Sequence, residues 1–115
     1  MVRGEIYFMD LAQRSGSEQT RRRPCIIVSH DAFSNNPGWR SVTVVPLTSS
    51  QRRQRPSPTT VLFQPGDGNL PRAGAALGHQ VTTLDKSKIV GPAVGRLTSG
   101  QMADLETALR NYLML

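Results

Sequence analysis

The chain has 115 residues, one cysteine, and 14 Lys and Arg against 8 Asp and Glu, for a formal net charge of +6. That length fits one domain spanning 1-115, which buries roughly two-thirds of its unfolded surface. The lone Cys25 excludes an intrachain disulfide and fits a reduced, cytoplasmic setting. No stretch approaches the ~20 apolar residues of a membrane span, and the first residues lack a signal peptide's apolar run, so no membrane partner is expected.

In chain order, Gly4 to Leu11 reads as a strand with apolar residues on both faces, Ile6 and Phe8 on one side and Tyr7 and Met9 on the other. Ala12 to Thr20 reads as a polar loop, and Pro24 to Ser29 as a second strand with proline at its first position, where the missing N–H is tolerated. Asp31-Ala32-Phe33 suits a helical turn, and Asn35-Asn36-Pro37-Gly38 is a strong turn signal. A third strand runs from Ser41 to Leu47, with Pro46 pointing to a sheet edge. Gln51 to Pro58 is a basic loop. Thr59 to Phe63, Ala75 to Leu84 and Val90 to Leu97 read as further strands, the last broken by Gly91-Pro92. Trp39 is expected to pack against the core; the alternative is a base-stacking role.

The last element is a helix. Thr98 and Gln101 match a capping box. Met102, Leu105, Leu109 and Tyr112 then recur at helical spacing, widened by Ala108 and Leu113, as a stripe that packs on the core. The expected fold is therefore mainly β with a C-terminal α-helix, as a small antiparallel barrel.

Positive charge gathers in two runs, Arg21-Arg22-Arg23 with Arg14 upstream, and Arg52-Arg53 with Arg55. Both read as loop or loop-flanking residues suited to tracking a phosphate backbone. If the second and third strands pair antiparallel with a constant residue-number sum, Arg23 faces Thr48 and Ser29 faces Val42. The Arg23 guanidinium, the Thr48 and Ser17 hydroxyls and the Glu18 carboxylate then meet at one sheet end, a set suited to a phosphodiester.

Metal-ligand spacing, a P-loop and a dinucleotide fingerprint are all absent, so no cofactor and no metal is expected. RNA cleavage needs none, because the ribose 2′-OH can attack the adjacent phosphorus, leaving a cyclic phosphate and a free 5′-OH. The protein then has only to orient the strand, stabilise phosphoryl charge and move two protons.

Arg3-Gly4-Glu5-Ile6-Tyr7 with Asp10-Leu11, Gly16-Ser17-Glu18-Gln19 and Arg23-Pro24 resemble the N-terminal signature of MazF/PemK endoribonuclease toxins. Val44 to Ser49, Gln80-Val81, Thr83 to Lys86, Gly95-Arg96-Leu97 and the final helix continue the resemblance over nearly the whole chain. It implies an SH3-like antiparallel barrel (CcdB/PemK-like), a homodimer, metal-independent cleavage of single-stranded RNA, and an antitoxin that blocks the groove with an extended acidic C-terminal segment. The family's arginine and threonine fall on Arg23 and Thr48, its loop serine and glutamate on Ser17 and Glu18, and its glutamine on Gln80. Gln19, Arg22, Arg52 and Arg53 join the expected substrate contacts.

One departure stands out: relatives commonly read Asp-Gln-x-Arg where this chain has His79-Gln80-Val81-Thr82. Proton transfer then falls to His79 or Glu18, because an arginine guanidinium holds its proton too firmly to be a good base. Strand alternation places His79 with Leu77 and Val81, a buried position, and turns Gln80 outward with Thr82, to hydrogen-bond RNA or to stabilise a loop. Two other readings share the fold: a non-enzymatic CcdB-like gyrase inhibitor, and a catalytically inactive RNA-binding barrel.

Overall fold

The computed structural model describes the backbone of residues 1–12 and 20–115 and the side chains of 1–11 and 22–115. Its strands are β1 (Glu5–Ala12), β2 (Thr20–Ile27), β3 (Ser41–Thr48), β4 (Thr60–Phe63), β5 (Gly74–Leu77), β6 (Thr82–Asp85) and β7 (Ile89–Arg96); its helices are α1 (Asp31–Ser34) and α2 (Ser99–Leu113). The strands are joined in the order β4-β5-β3-β2-β1-β7, with β6 also on β3, and every pairing is antiparallel. This barrel-like sheet with a C-terminal helix is the fold expected from the sequence.

β3 is the spine. One edge pairs with β2 from Val44 to Pro46, while the other pairs with β6 from Ser41 to Val44 and with β5 at Leu47 and Thr48. Pro46 therefore marks no sheet edge: it pairs with Cys25 of β2, and on the other edge of β3 it falls in the gap between the β6 pairs, which end at Val44, and the β5 pairs, which begin at Leu47. Pro24 is likewise inside its strand, opposite Phe8 of β1, rather than at the start. The β2–β3 ladder stops at Cys25↔Pro46, so Pro24 sits where no hydrogen bond to β3 is asked of it. β2 also begins earlier than expected, and Arg21, Arg22 and Arg23 are strand residues held by β1.

Alternation along these strands sorts the core into two clusters. Ile6, Ile26, Val45, Leu47, Phe63 and Ala76 meet Leu105 and Ala108 of α2. Met9, Cys25, Ile27, Val42 and Val44 fill the other side. The second is where Cys25 lies, fully buried, and burial pushes its thiol up to about 12, with the Arg23 charge opposing weakly.

The Thr98–Gln101 capping box forms in both directions, Gln101 N–H to Thr98 Oγ1 at 3.1 Å and Thr98 N–H to Gln101 Oε1 at 2.9 Å. Arg3 then fastens the helix to the sheet. Its Nε donates to Val28 O at 2.8 Å and its guanidinium meets Glu106 at 2.6 Å. The expected apolar stripe is only partly core. Leu105 and Ala108 are buried, but Tyr112 and Leu113 stand about half exposed because the sheet ends beneath them.

Two other expectations fail. Ala75 to Leu84 is not one strand: a 3₁₀ turn at Gly78–Gln80 separates β5 from β6. At its start Gly78 packs so closely that a Cβ there would meet Thr59 O at 2.8 Å. Trp39 is not core. The Asn35–Gly38 turn holds it outward at 46% exposure, against Phe33 with ring centroids 4.9 Å apart.

Candidate nucleic-acid cleavage site

The β2–β3 pairs Cys25↔Pro46, Ile26↔Val45 and Ile27↔Val44 share the residue-number sum that sets Arg23 against Thr48. The two strands part just before reaching them, which opens space between their ends. At the far end the assumed register fails, since Val28 N and Ser29 N both reach Thr43 O and Ser29 does not pair with Val42. Alternation puts Arg23 on the face of Cys25 and Ile27, and Thr48 on that of Val42 and Val44, and all four of those apolar residues belong to one cluster. The cation and the hydroxyl therefore share a face.

Both line a cleft of about 570 Å³ with Arg22, Pro24, Ser49, Ser50 and Arg53. Arg23 and Thr48 are half-buried there. Thr48 Oγ1 accepts from Ser50 N at 3.1 Å, which fixes the hydroxyl and leaves its proton free to be donated into the cleft. Arg22 pairs with Asp10 across the β1–β2 ladder at 3.1 Å, so part of its charge is already answered. Among the described residues no carboxylate pairs with Arg23 or Arg53, and no carboxylate lines the cleft. An anion entering it would meet uncompensated guanidinium charge.

Arg53 arrives through a 3₁₀ turn at Gln51–Arg53. Gln54, which the sequence reading passed over, secures that turn: its Nε2 donates to Ser49 O at 3.0 Å and reaches Ala73 O at 3.4 Å. Arg52 belongs to the same turn but is exposed and does not line the cleft. Ser49, at the end of the Val44–Ser49 motif, and Ser50 line the cleft without having been singled out as site residues. Gly74 and Arg72, which no motif marks, line the adjoining cleft, where the chain after β3 and the β4–β5 connection meet at Thr48. Gly74 approaches so closely that a Cβ would lie 2.7 Å from Thr48 O.

Ser17, Glu18, Gln19 and Arg14 lie outside the described residues, as does the Arg21 side chain. His79 and Gln80 are described and lie elsewhere. Both are half-buried in the 3₁₀ turn after β5, so strand alternation does not set their direction. His79 Nδ1 is 3.5 Å from Thr59 Oγ1 and its ring meets Tyr112 edge-on at 6.3 Å. Neither residue lines the cleft that holds Arg23 and Thr48. Among the described residues no three His, Cys, Asp or Glu side chains are grouped to hold a metal ion, and no helix is long and apolar enough to cross a membrane.

The chain resembles known proteins along its full length. Endoribonuclease MazF9 of Mycobacterium tuberculosis is 32% identical over 118 residues, covering all of this chain and 98% of the relative. A solved mycobacterial endoribonuclease in complex with its cognate antitoxin superposes with a TM-score of 0.77 at 30% identity, over 100% of this chain and 96% of that one. The MazE–MazF crystal structure from Deinococcus radiodurans, 20% identical and covering 100% and 96% of the two chains, shares the fold with a TM-score of 0.79. The family described as PemK-like, MazF-like toxins of type II toxin-antitoxin systems matches residues 2–113, and the chain belongs to that family.

Proposed function

We propose that this toxin cleaves single-stranded RNA at the cleft between β2 and β3, without a metal ion, through attack of the ribose 2′-OH on the adjacent phosphorus. The 2′-oxygen loses its proton and forms the new P–O bond while the P–O5′ bond breaks, and the leaving 5′-oxygen takes up a proton from water, giving a 2′,3′-cyclic phosphate and a 5′-OH. Endoribonuclease activity is what the relatives' names state, and it sets this reading above gyrase inhibition. The observation that carries the mechanism is the convergence of Arg23 and Thr48 on one cleft that, among the described residues, no carboxylate lines.

Arg23 stabilises charge on the non-bridging oxygens, and the free Thr48 proton donates to one of them. Arg22 and Arg53 hold neighbouring phosphates. Ser17, Glu18 and Gln19 act from the segment that leads into β2, with Glu18 taking the 2′-OH proton. The engagement of His79 with Thr59 and Tyr112 supports Glu18 over His79 for that step within one chain. Gln80 contacts RNA from a second copy in a homodimer. The exposed apolar residues Leu62, Tyr112, Leu113, Met114 and Leu115 support a surface that another copy covers. An antitoxin with an extended acidic C-terminal segment competes with RNA for the same guanidinium groups, and both partners meet the toxin in the cytoplasm.

The test is digestion of a mixed RNA pool in EDTA with both new ends mapped. Cyclic-phosphate and 5′-OH ends are expected, and substrates with 2′-O-methyl at the cut should survive. Arg23→Ala and Thr48→Val should each lower kcat/KM by about 10²–10³-fold, the loss expected on removing one oxyanion donor, with far-UV circular dichroism unchanged. Cleavage that vanishes in EDTA, or a fully active Arg23→Ala, would overturn the mechanism. RNA bound in a salt-dependent way but never cut would identify an inactive binding barrel.

A further inference from the structure

A second cleft of about 320 Å³ adjoins the cationic one, and the two share Pro24, Thr48 and Ser49 as a common wall. Its character is different. Phe8, Leu47, Phe63 and Leu70 make it an apolar opening at the end of the core that α2 covers. Strand alternation explains the division: Phe8, Pro24 and Leu47 point to the α2 side of the sheet, while Arg23 and Thr48 point to the other. Arg72 stands at the mouth, exposed, and makes no ion pair and no side-chain hydrogen bond among the described residues.

An anion site and an apolar slot on opposite sides of one thin wall suit a ligand with a charged group and a flat apolar group a few bonds apart. A nucleotide is such a ligand. Sequence-selective proteins read single-stranded RNA by turning bases out of the stack and holding them on apolar or guanidinium surfaces. Among the described residues no carboxylate lines the slot to repel the phosphate next door. Arg72 offers donors only, so it matches a base edge that presents acceptors, such as guanine N7 and O6.

We propose that the slot takes the nucleobase flanking the scissile phosphate, and that Arg72 reads its edge, making Arg72 a specificity-determining residue. The proposal rests on the RNA-cleaving reading of the adjoining cleft. An apolar side chain of a bound peptide is the competing occupant.

The test uses short RNA oligonucleotides carrying one mapped cut. An abasic nucleoside is placed on either side of the cut or, as a control, several nucleotides away. Loss of the flanking base should lower kcat/KM by about 5- to 150-fold, the equivalent of 1–3 kcal/mol of base stacking, with little change at the control position. Arg72→Ala should still cut but with relaxed base preference at that one position. Equal cutting of all the abasic oligonucleotides by a wild-type protein that cuts normally would overturn the proposal and leave the slot to a peptide. An Arg72→Ala protein that loses rate uniformly, with base preference intact, would reduce Arg72 to a phosphate contact and overturn its reading role. Failure of the wild type to cut any RNA would instead sink the function of the adjoining cleft.

Discussion

Gly74→Ala should damage the proposed cleavage site from behind. A Cβ at position 74 would lie 2.7 Å from Thr48 O, where ordinary contact begins at 3.4 Å, so about 0.7 Å of movement is required. The obstacle is backbone rather than a flexible side-chain end. Thr48↔Ala75 and Phe63↔Gly74 hold both strands in register beside it, so the strain falls on the end of β3. Overpacking of this kind costs about 1–3 kcal/mol of stability. The larger effect is on rate, because a displacement near 1 Å of a positioning group costs on the order of 10²-fold. We expect kcat/KM on an RNA oligonucleotide to fall by about 10- to 100-fold, measured well below the melting temperature, with stability followed by urea unfolding. Gly100→Ala is the control: its Cβ would find only Thr98 Oγ1 at 3.9 Å, in the first turn of α2. That change should leave the rate alone and be neutral or slightly stabilising. Wild-type kinetics in a folded Gly74→Ala protein would refute the idea that this close approach sets Thr48.

Other consequences are as direct. Thr98→Ala removes the hydroxyl half of the capping box and should cost about 1 kcal/mol, read as a drop of several degrees in thermal unfolding. Cys25 needs its thiolate to be alkylated. With the thiol pushed from 9.0 to about 12, iodoacetamide at pH 8 should label the native protein about 10³-fold more slowly than the urea-unfolded chain. Fast labelling of native protein would show that the β2–β3 core is not closed. The same raised thiol binds its proton more tightly folded than unfolded, so its contribution to stability is present below about pH 9 and declines above it. Glu106 runs the opposite way. Its hydrogen bond from Arg3 holds the carboxyl below its ordinary 4.5, so the pair stabilises above that pH and is lost as pH falls through the lowered value. Urea unfolding of Glu106→Gln should therefore show a shallower fall in stability on acidification than wild type, and an identical acid profile would place the dependence elsewhere.

The candidate site was legible where it depends on local order. The facing of Arg23 and Thr48 follows from two apolar runs with a turn-rich reversal between them, and the β2–β3 pairs keep that register. The capping box at Thr98 is equally local and forms as written. What escaped was set by neighbours distant in sequence. Pro24 and Pro46 look like strand ends until β1 is seen to hold Pro24 and the far edge of β3 to pass from β6 to β5 across Pro46. Leu77 and Val81 continue an apolar pattern through a turn because both touch the core from opposite ends of it, so a single strand was read through Gly78–Gln80. Trp39 has a core residue's composition but sits after a turn that faces it outward, with its ring against Phe33. Gln54 and Gly74 carry no chemical signature, and only the meeting of two loops at Thr48 gives them a role.

Arg3 and Glu106 join residues 103 apart, and β1 takes β7 as its second neighbour. The earliest part of the polypeptide thus cannot complete its sheet until the latest part has been made. Such long-range closure folds slowly, in milliseconds to seconds rather than microseconds. A partly synthesised chain would carry Arg23 and Thr48 yet lack the layer beneath Leu47, so the destructive capacity of the molecule should appear only after its translation is finished.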